Sequence, residues 1–568
     1  MNFLRTTAAA AFALMTLTST AFAAERISLN GSGWTFKTTL DNPVPVEVPH
    51  CWTGTERWRH YIGSALYQHD FDAPTLKPGQ VVRLHFDAVY DVATVWVNGK
   101  RLGTHEGGYT AFEYDVTSLL KTGKNRILVE VNNTPTISSI PALATGNPSS
   151  ANNNGRITIV GWLPYGGIVR PVSLLVTDAV YLRNMKVDAK PDLKTGDATI
   201  TVHAWAHNGS NTDRTSDITG TVAGLAVSFP HKRIAANSDE ELTWTGKLSH
   251  AHLWSVADPF LYDAHLQTAG DALDAKVGVR DIRVVGTELQ LNGKTVHLYG
   301  ANRVGEDPIE GLIESDATIE RDMSDMLALN MRMMRIAHYP QPPALLDYAD
   351  KHGMLIIPEA GNWNMSSWQM ADPDIRQRFQ KQQQEMIEQE WNHPSVIAWS
   401  VGNEYESYTQ EGKDWTRDMR AFSLKLDPTR LITFADRYTG DPIVKKGSDD
   451  AGQYCDFVSI NIYGDYAKRL DYAHQLYPDK PIFVTEFGKM GEPGLHDPKR
   501  IADITDAVTA MKGRPWVIGG SLWTWADYRS FINGTPDNGI RSWGVVDFLR
   551  QKRDSYPVVQ QLFKTELP

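Results

Sequence analysis

Two glutamates stand at the ends of apolar runs in the second half of the chain. Trp399-Ser400-Val401-Gly402-Asn403-Glu404 closes one run, and Val484-Thr485-Glu486-Phe487-Gly488 closes another. A lone glutamate in such a place is most often a solvated loop residue or an ion-pair partner. Two that face one pocket can do more. Hydrolysis of a glycosidic bond needs a protonated carboxyl group to help the leaving oxygen depart and an ionised one to attack the anomeric carbon or activate water. Their separation sets the stereochemistry: about 5–5.5 Å gives retention, and a wider gap gives inversion.

Other residues at the ends of apolar runs suit a sugar pocket. They are Arg335 and His338 in Arg335-Ile336-Ala337-His338-Tyr339, Glu359, Asn461 and Tyr463 in Asn461-Ile462-Tyr463, and Trp523 and Asp527 in Trp523-Thr524-Trp525-Ala526-Asp527. For Arg335, Glu359 and Asp527 a purely structural role competes with substrate binding. Trp523 offers a flat face for a sugar ring, and Asn403 can hydrogen-bond a sugar hydroxyl. Other chemistries fit less well. The chain has no HExxH zinc motif and no GxSxG elbow. Gly447-Ser448-Asp449-Asp450 lacks the alternating oxygen ligands of a calcium loop and reads as a solvated turn. Two carboxylates suffice for the reaction, so neither a metal nor an organic cofactor is expected. The two cysteines, Cys51 and Cys455, lie far apart and read as free thiols.

These residues need a scaffold that brings strand ends together. After Gly286, apolar strands alternate with helical stretches such as Asp374–Trp391 and Pro498–Met511. Eight strand candidates follow: Val296–Asn302, Met331–His338, Leu355–Glu359, Val396–Glu404, Leu431–Ala435, Phe457–Tyr463, Ile482–Glu486 and Val517–Trp525. That pattern predicts a (β/α)8 TIM barrel, whose active site forms at the C-terminal ends of the strands. Upstream the texture is all-β. Val81–Phe86 and Ala93–Val97 alternate, and the second run ends in the hairpin signal Asn98-Gly99. The expected order is a jelly-roll β-sandwich over 24–179, an immunoglobulin-like β-sandwich over 180–284 and the barrel over 285–568.

Residues 1–23 read as an export signal. Arg5 precedes the apolar stretch Ala8–Leu17, and Ala21-Phe22-Ala23 fits a cleavage site. The apolar stretch is too short to span a bilayer, so the expectation is a periplasmic or secreted protein with no membrane partner. The net charge of −11 gives no basic footprint for nucleic acid. The expected partner is an oligosaccharide or other glycoside; whether copies of the chain associate is left open.

The chain resembles glycoside hydrolase family two, which includes β-galactosidases, β-glucuronidases and β-mannosidases. The resemblance rests on Val48-Pro49-His50-Cys51-Trp52, Ala93–Gly99, His105–Phe112, Gly166–Val172, Gly402-Asn403-Glu404 and Thr485-Glu486-Phe487-Gly488. It implies a retaining exo-glycosidase with Glu404 as acid/base and Glu486 as nucleophile. It further implies that Tyr463 orients Glu486 and that His338, Glu359 and Trp523 line the pocket for the terminal sugar. Two departures bear on the substrate. Val304 follows Arg303 where many β-galactosidases have histidine, and the Asn-x-Lys carboxylate clamp of β-glucuronidases is not evident near Arg541-Ser542-Trp543-Gly544. Without that clamp a terminal β-galactoside is the favoured expectation, with Arg529 and Arg541 paired to Asp527 or Asp537 in the loop wall. The alternative is a β-glucuronide or β-mannoside, with Arg541 holding a carboxylate in the first case. A non-catalytic sugar-binding protein is a remote third reading, opposed by the presence of both glutamates.

Overall fold

The computed structural model describes residues 24–145, 157–158, 160–491 and 494–565. The segment read as an export signal lies outside the described residues.

The first unit is a sandwich. One sheet has six strands, in the order Val44–Val48, Gly31–Thr38, Ser64–Asp72, Lys124–Asn132, Val92–Val97 and Lys100–Glu106; the facing sheet has four. Alternation along the strands turns Trp34, Phe36, Val95, Val97, Ile127, Val129 and Val131 inward onto Val82, Leu84 and Phe86. The second unit packs a three-stranded sheet on a four-stranded one around Ile200, Val202, Ile218 and Leu266. Seven strands in two antiparallel sheets are the immunoglobulin-like arrangement.

The third unit is the barrel. Its parallel strands are β1 (Leu298–Arg303), β2 (Met333–Ile336), β3 (Leu355–Pro358), β4 (Ala398–Asn403), β5 (Leu431–Asp436), β6 (Val458–Asn461), β7 (Ile482–Phe487) and β8 (Val517–Leu522). Strand β1 pairs with both β2 and β8. The seam between β3 and β4 closes through the bridges Ile356–Val396 and Glu359–Ser400. Alternate residues divide the work. Met334, Ile356, Trp399, Ile432 and Val484 face the outer helices. Met333, Leu355, Ile357, Phe457, Phe483 and Ile518 fill the lower barrel, where Ile282, Leu289 and Leu291 of a preceding three-stranded sheet plug the floor. The lower half is thus a packed core, and only the upper mouth remains for polar residues.

All eight expected strands are present. One connection departs from the βα pattern: β5 reaches β6 through two 3-10 turns, Gly447–Asp449 and Ala451–Tyr454. The solvated turn expected around Asp449-Asp450 is corrected here. Asp450 is fully buried, and Thr439 Oγ1 donates to both Asp450 and Asp436. Burial and the nearby Asp450 push the Asp436 carboxyl up to about 8. Cys51 and Cys455 are buried free thiols. No helix among the described residues is long and apolar enough to cross a membrane.

Helix α1 (Pro373–Glu390) locks the first sandwich to the barrel. Asp372 caps it by accepting from the Asp374 and Ile375 amides, and Pro373 supplies a preset first turn. Thr110 Oγ1 and His105 Nε2 reach its Glu385 at 2.7 and 3.3 Å. Arg170 donates to the Pro340 carbonyl, and Tyr109 stacks on Tyr339 at 4.3 Å.

The buried Asp436 gives a signed prediction. Its folded pKa lies above the unfolded value, so between about pH 4 and 8 the native state holds a proton that the unfolded chain has lost. Stability should fall as pH rises through that window. Asp436→Asn mimics the protonated acid and should flatten the slope of the thermal midpoint against pH. An unchanged slope would remove Asp436 as its source.

Candidate active site

The mouth of the barrel is organised by Arg335, the last inward residue of β2. Alternation points Met333 and Arg335 into the barrel and Met334 and Ile336 outward. The guanidinium is fully buried and every nitrogen is used. Nε donates to Glu359 at 2.8 Å, Nη1 donates to Glu486 at 2.8 Å and to Asn302 at 2.9 Å, and Nη2 donates to Asn403 at 2.8 Å.

Glu486 reaches this position through a local irregularity. The β6–β7 register pairs Ile460 with Val484 but Asn461 with Glu486, so one extra residue sits on β7. Such bulges re-aim side chains beside functional sites. Here Thr485 and Glu486 both turn inward: Thr485 donates to Asn461 at 2.7 Å, and the Glu486 carboxylate receives Arg335 and, at 2.6 Å, the Tyr463 hydroxyl.

Glu404 follows β4 with φ of 50°, the left-handed region, held by its amide bond to the Ala435 carbonyl at 2.8 Å. Gly402 before it has φ of 145°, and a Cβ there would lie 2.9 Å from Asn362 and Tyr405, so glycine is required. One Glu404 oxygen accepts from Asn461 Nδ2 at 2.9 Å, and the other faces Arg437 at 3.7 Å. Glu404 and Glu486 line the same cavity, of about 300 Å³.

The other expected residues divide into two layers. Asn403, His338, Tyr463, Trp523 and Arg541 line the cavity. Arg335 and Glu359, expected as pocket residues, do not reach its wall; they form the layer beneath. Glu359 accepts from Arg335, from Ser400 at 2.8 Å and from His338 Nδ1 at 2.9 Å, which fixes the His338 proton on Nδ1. Trp523 stacks on His338 at 5.2 Å. Asp527, also a strand-end residue, is salt-bridged to Arg553 at 2.8 Å and so is structural.

The expected pairing of both arginines with Asp527 or Asp537 is corrected. Arg529 pairs with Glu306 at 3.1 Å, and Asp527 is taken by Arg553. Arg541 is left on the cavity wall beside Trp543, with no carboxylate in ion-pair range among the described residues. Its Nε has no hydrogen-bond acceptor.

Sequence reading assigns no role to Asn302, Ser400, Trp162, Trp363 or Tyr528. Asn302 obeys the same strand-end rule that identified Glu404, so its signal was present. Trp162 comes from the first sandwich, packs at 5.5 Å from His338 and lines the cavity; no barrel pattern could reveal it. Among the described residues no group of three or more His, Cys, Asp or Glu side chains is placed to hold a metal ion.

The two carboxylates on Arg335 titrate in opposite directions. Glu359 is buried, which raises its pKa, but Arg335 and His338 outweigh this and hold it below the usual range. Glu486 is raised: burial dominates, Arg335 opposes it, and Glu404 adds repulsion.

A closed parallel barrel with two glutamates across one pocket at its C-terminal mouth is the layout of a glycosidase. The chain belongs to glycoside hydrolase family 2. The family's sugar binding domain matches residues 19–177, its central model matches 180–280, and its TIM barrel domain matches 282–558. The chain is 25% identical to a β-glucuronidase from Pongo abelii over 534 residues, covering 86% of this chain and 80% of that protein. A family 2 β-galacturonidase from Eisenbergiella tayi, solved with galacturonate, superposes with a TM-score of 0.85 at 23% identity, covering 95% of this chain and 97% of that one. A β-D-glucuronidase of Dictyoglomus thermophilum gives 0.81 at 23% identity, covering 96% and 98%.

Arg335→Gln should drive the Glu486 carboxyl further up, because the opposing cation is lost while burial stays. Difference infrared titration against Glu486→Gln reads this directly. A downward move would contradict the assigned balance of charges.

Proposed function

We propose that the chain is a retaining exo-β-glycosidase acting on terminal β-uronides, glucuronide or galacturonide. Glu486 attacks the anomeric carbon to form a covalent glycosyl-enzyme. Glu404 protonates the leaving oxygen and then deprotonates the incoming water. The bond from Tyr463 and the ion pair with Arg335 aim Glu486, and Asn461 aims Glu404. Trp523 and Trp162 form apolar walls, while Asn403 and His338 Nε2 meet the sugar hydroxyls. The N-terminal apolar segment supports an exported enzyme.

The observation that carries the substrate reading is Arg541. A buried uronate needs a paired cation, and a guanidinium meets a carboxylate in bidentate geometry. Arg541 is on the wall without a carboxylate of its own, so it can take the role of the absent Asn-x-Lys clamp. Relatives named β-glucuronidase and β-galacturonidase support the same reading. The galactoside favoured from sequence rested on the missing Asn-x-Lys clamp, with the loop arginines read as neutralised; it is set aside because Arg541 has no carboxylate partner among the described residues and can replace that clamp.

The test compares kcat/KM on p-nitrophenyl β-glucuronide, β-galacturonide and β-galactoside. The better uronide should exceed the galactoside by about 100-fold, some 2.7 kcal/mol of transition-state preference. Arg541→Ala should remove most of that ratio while leaving the galactoside rate within a few-fold. A galactoside that matches both uronides would sink the proposal.

The role of Glu404 is tested separately. Glu404→Ala should slow substrates with poor leaving groups far more than activated aryl glycosides, and azide should rescue it with a β-glycosyl azide as product. Equal losses on both substrate types would count against an acid/base role.

A further inference from the structure

An acid that protonates the leaving oxygen must have the leaving group on its own side of the cavity. Glu404 lines the cavity of about 300 Å³ that takes the terminal sugar. Three residues group beside Glu404 without joining that cavity wall: Tyr408 on the loop after β4, and Arg437 and Tyr438 directly after β5. The two tyrosines are half-buried and meet edge to face at 4.7 Å. The Arg437 guanidinium lies 5.5 Å from the centre of the Tyr438 ring. Arg469 Nη2 donates to the Arg437 carbonyl at 3.2 Å, which steadies the backbone here.

Arg437 is a cation with a single counter-charge. Its side chain is 52% exposed, and among the described residues its one ion-pair partner is Glu404 at 3.7 Å. The guanidinium donates no hydrogen bond to any described residue. The other acids nearby are committed elsewhere. Glu406 accepts from the Ser367 amide at 2.7 Å, and Asp441 accepts from the Ile443 amide at 3.0 Å. Asp436 is buried, and its carboxyl is pushed up to about 8, which leaves it mostly protonated at neutral pH.

The counter-charge on Glu404 is not constant through the reaction. With Glu404 as the acid, it carries a proton when the substrate is bound, and Arg437 then faces a neutral group. An anion on the leaving group would restore the balance, because a guanidinium meets a carboxylate or sulfate with several N–H donors. Tyr408 and Tyr438 offer aromatic surface against which a ring can pack.

We propose that Arg437 determines specificity on the leaving-group side, and that with Tyr408 and Tyr438 it selects a ring that bears an anionic group, such as an acidic sugar or a carboxylated aryl group. The inference rests on the role of Glu404 as acid/base, and it adds a requirement on the part of the substrate that departs.

The experiment compares kcat/KM for 3- and 4-carboxyphenyl glycosides with the matching carbamoylphenyl glycosides, all on one terminal sugar. Wild type, Arg437→Gln and Arg437→Lys are measured at low salt and in 0.5 M NaCl, with the chain intact. Because Arg437 adjoins Glu404, absolute rates will change, so the readout is the ratio of anionic to neutral substrate. Intrinsic leaving-group differences cancel when that ratio is compared between wild type and variant. For at least one isomer the ratio should fall about fivefold in Arg437→Gln, the scale of a half-exposed charge pair. Arg437→Lys should keep part of it, and salt should reduce it in wild type. A ratio equal in wild type and Arg437→Gln for both isomers would overturn the proposal and leave Arg437 as a partner of Glu404 alone. A wrong choice of terminal sugar shows up separately, as a galactoside that matches both uronides. The leaving-group ratio is then measured on the galactoside and decides this proposal all the same.

Discussion

The active site depends on a guanidinium buried in the barrel. Arg335 bonds directly to residues on or just after β1, β3, β4 and β7, so four strand ends are set by one side chain. Burying a charge is expensive unless it is paired with good geometry, and removing one partner of a buried pair typically costs about 3–5 kcal/mol. Here all three guanidinium nitrogens donate, in four hydrogen bonds, to Glu359, Glu486, Asn302 and Asn403. The sharing is uneven. Glu359 also has His338 and Ser400, and it is held ionised. Glu486 has Tyr463 and a share of Arg335 but faces Glu404, so its charge is less fully compensated. An ionised carboxylate whose charge is only partly neutralised suits attack on a carbon that becomes positive.

The rest of the fold can be understood as support for that cluster. The plugged lower barrel excludes water from beneath Arg335. The bulge on β7 turns Glu486 inward, and Gly402 lets the chain after β4 bend so that Glu404 enters from the other side. The first sandwich contributes more than bulk. It is fastened to helix α1 through Glu385, and it delivers Trp162 to the cavity wall.

Much of this was legible in the sequence, for identifiable reasons. Strand spacing and apolar runs are local, so all eight barrel strands were found and Glu404 and Glu486 fell on one rim. Asn403, His338, Tyr463 and Trp523 followed from the same rule. What failed was pairing between distant segments. Arg541 looked neutralised because Asp527 and Asp537 are near in sequence, yet Asp527 is claimed by Arg553 and no described carboxylate pairs with Arg541. Arg335 and Glu359 were placed one layer too far forward, because a strand-end position gives direction but not depth. Asp450 read as a surface turn because nothing local indicates the burial of a 3-10 segment against Tyr477 and Thr439.

The central claim is that the Arg335-bound carboxylate of Glu486 becomes bonded to the sugar. The direct measurement is to incubate the enzyme with a 2-deoxy-2-fluoro-β-glucuronosyl or β-galacturonosyl fluoride and map the product by peptide mass spectrometry. One fluorosugar on Glu486, with loss of activity at the same rate as labelling, is the predicted result. Attachment at any other residue, or full turnover with an inverted product and no label, would contradict the account.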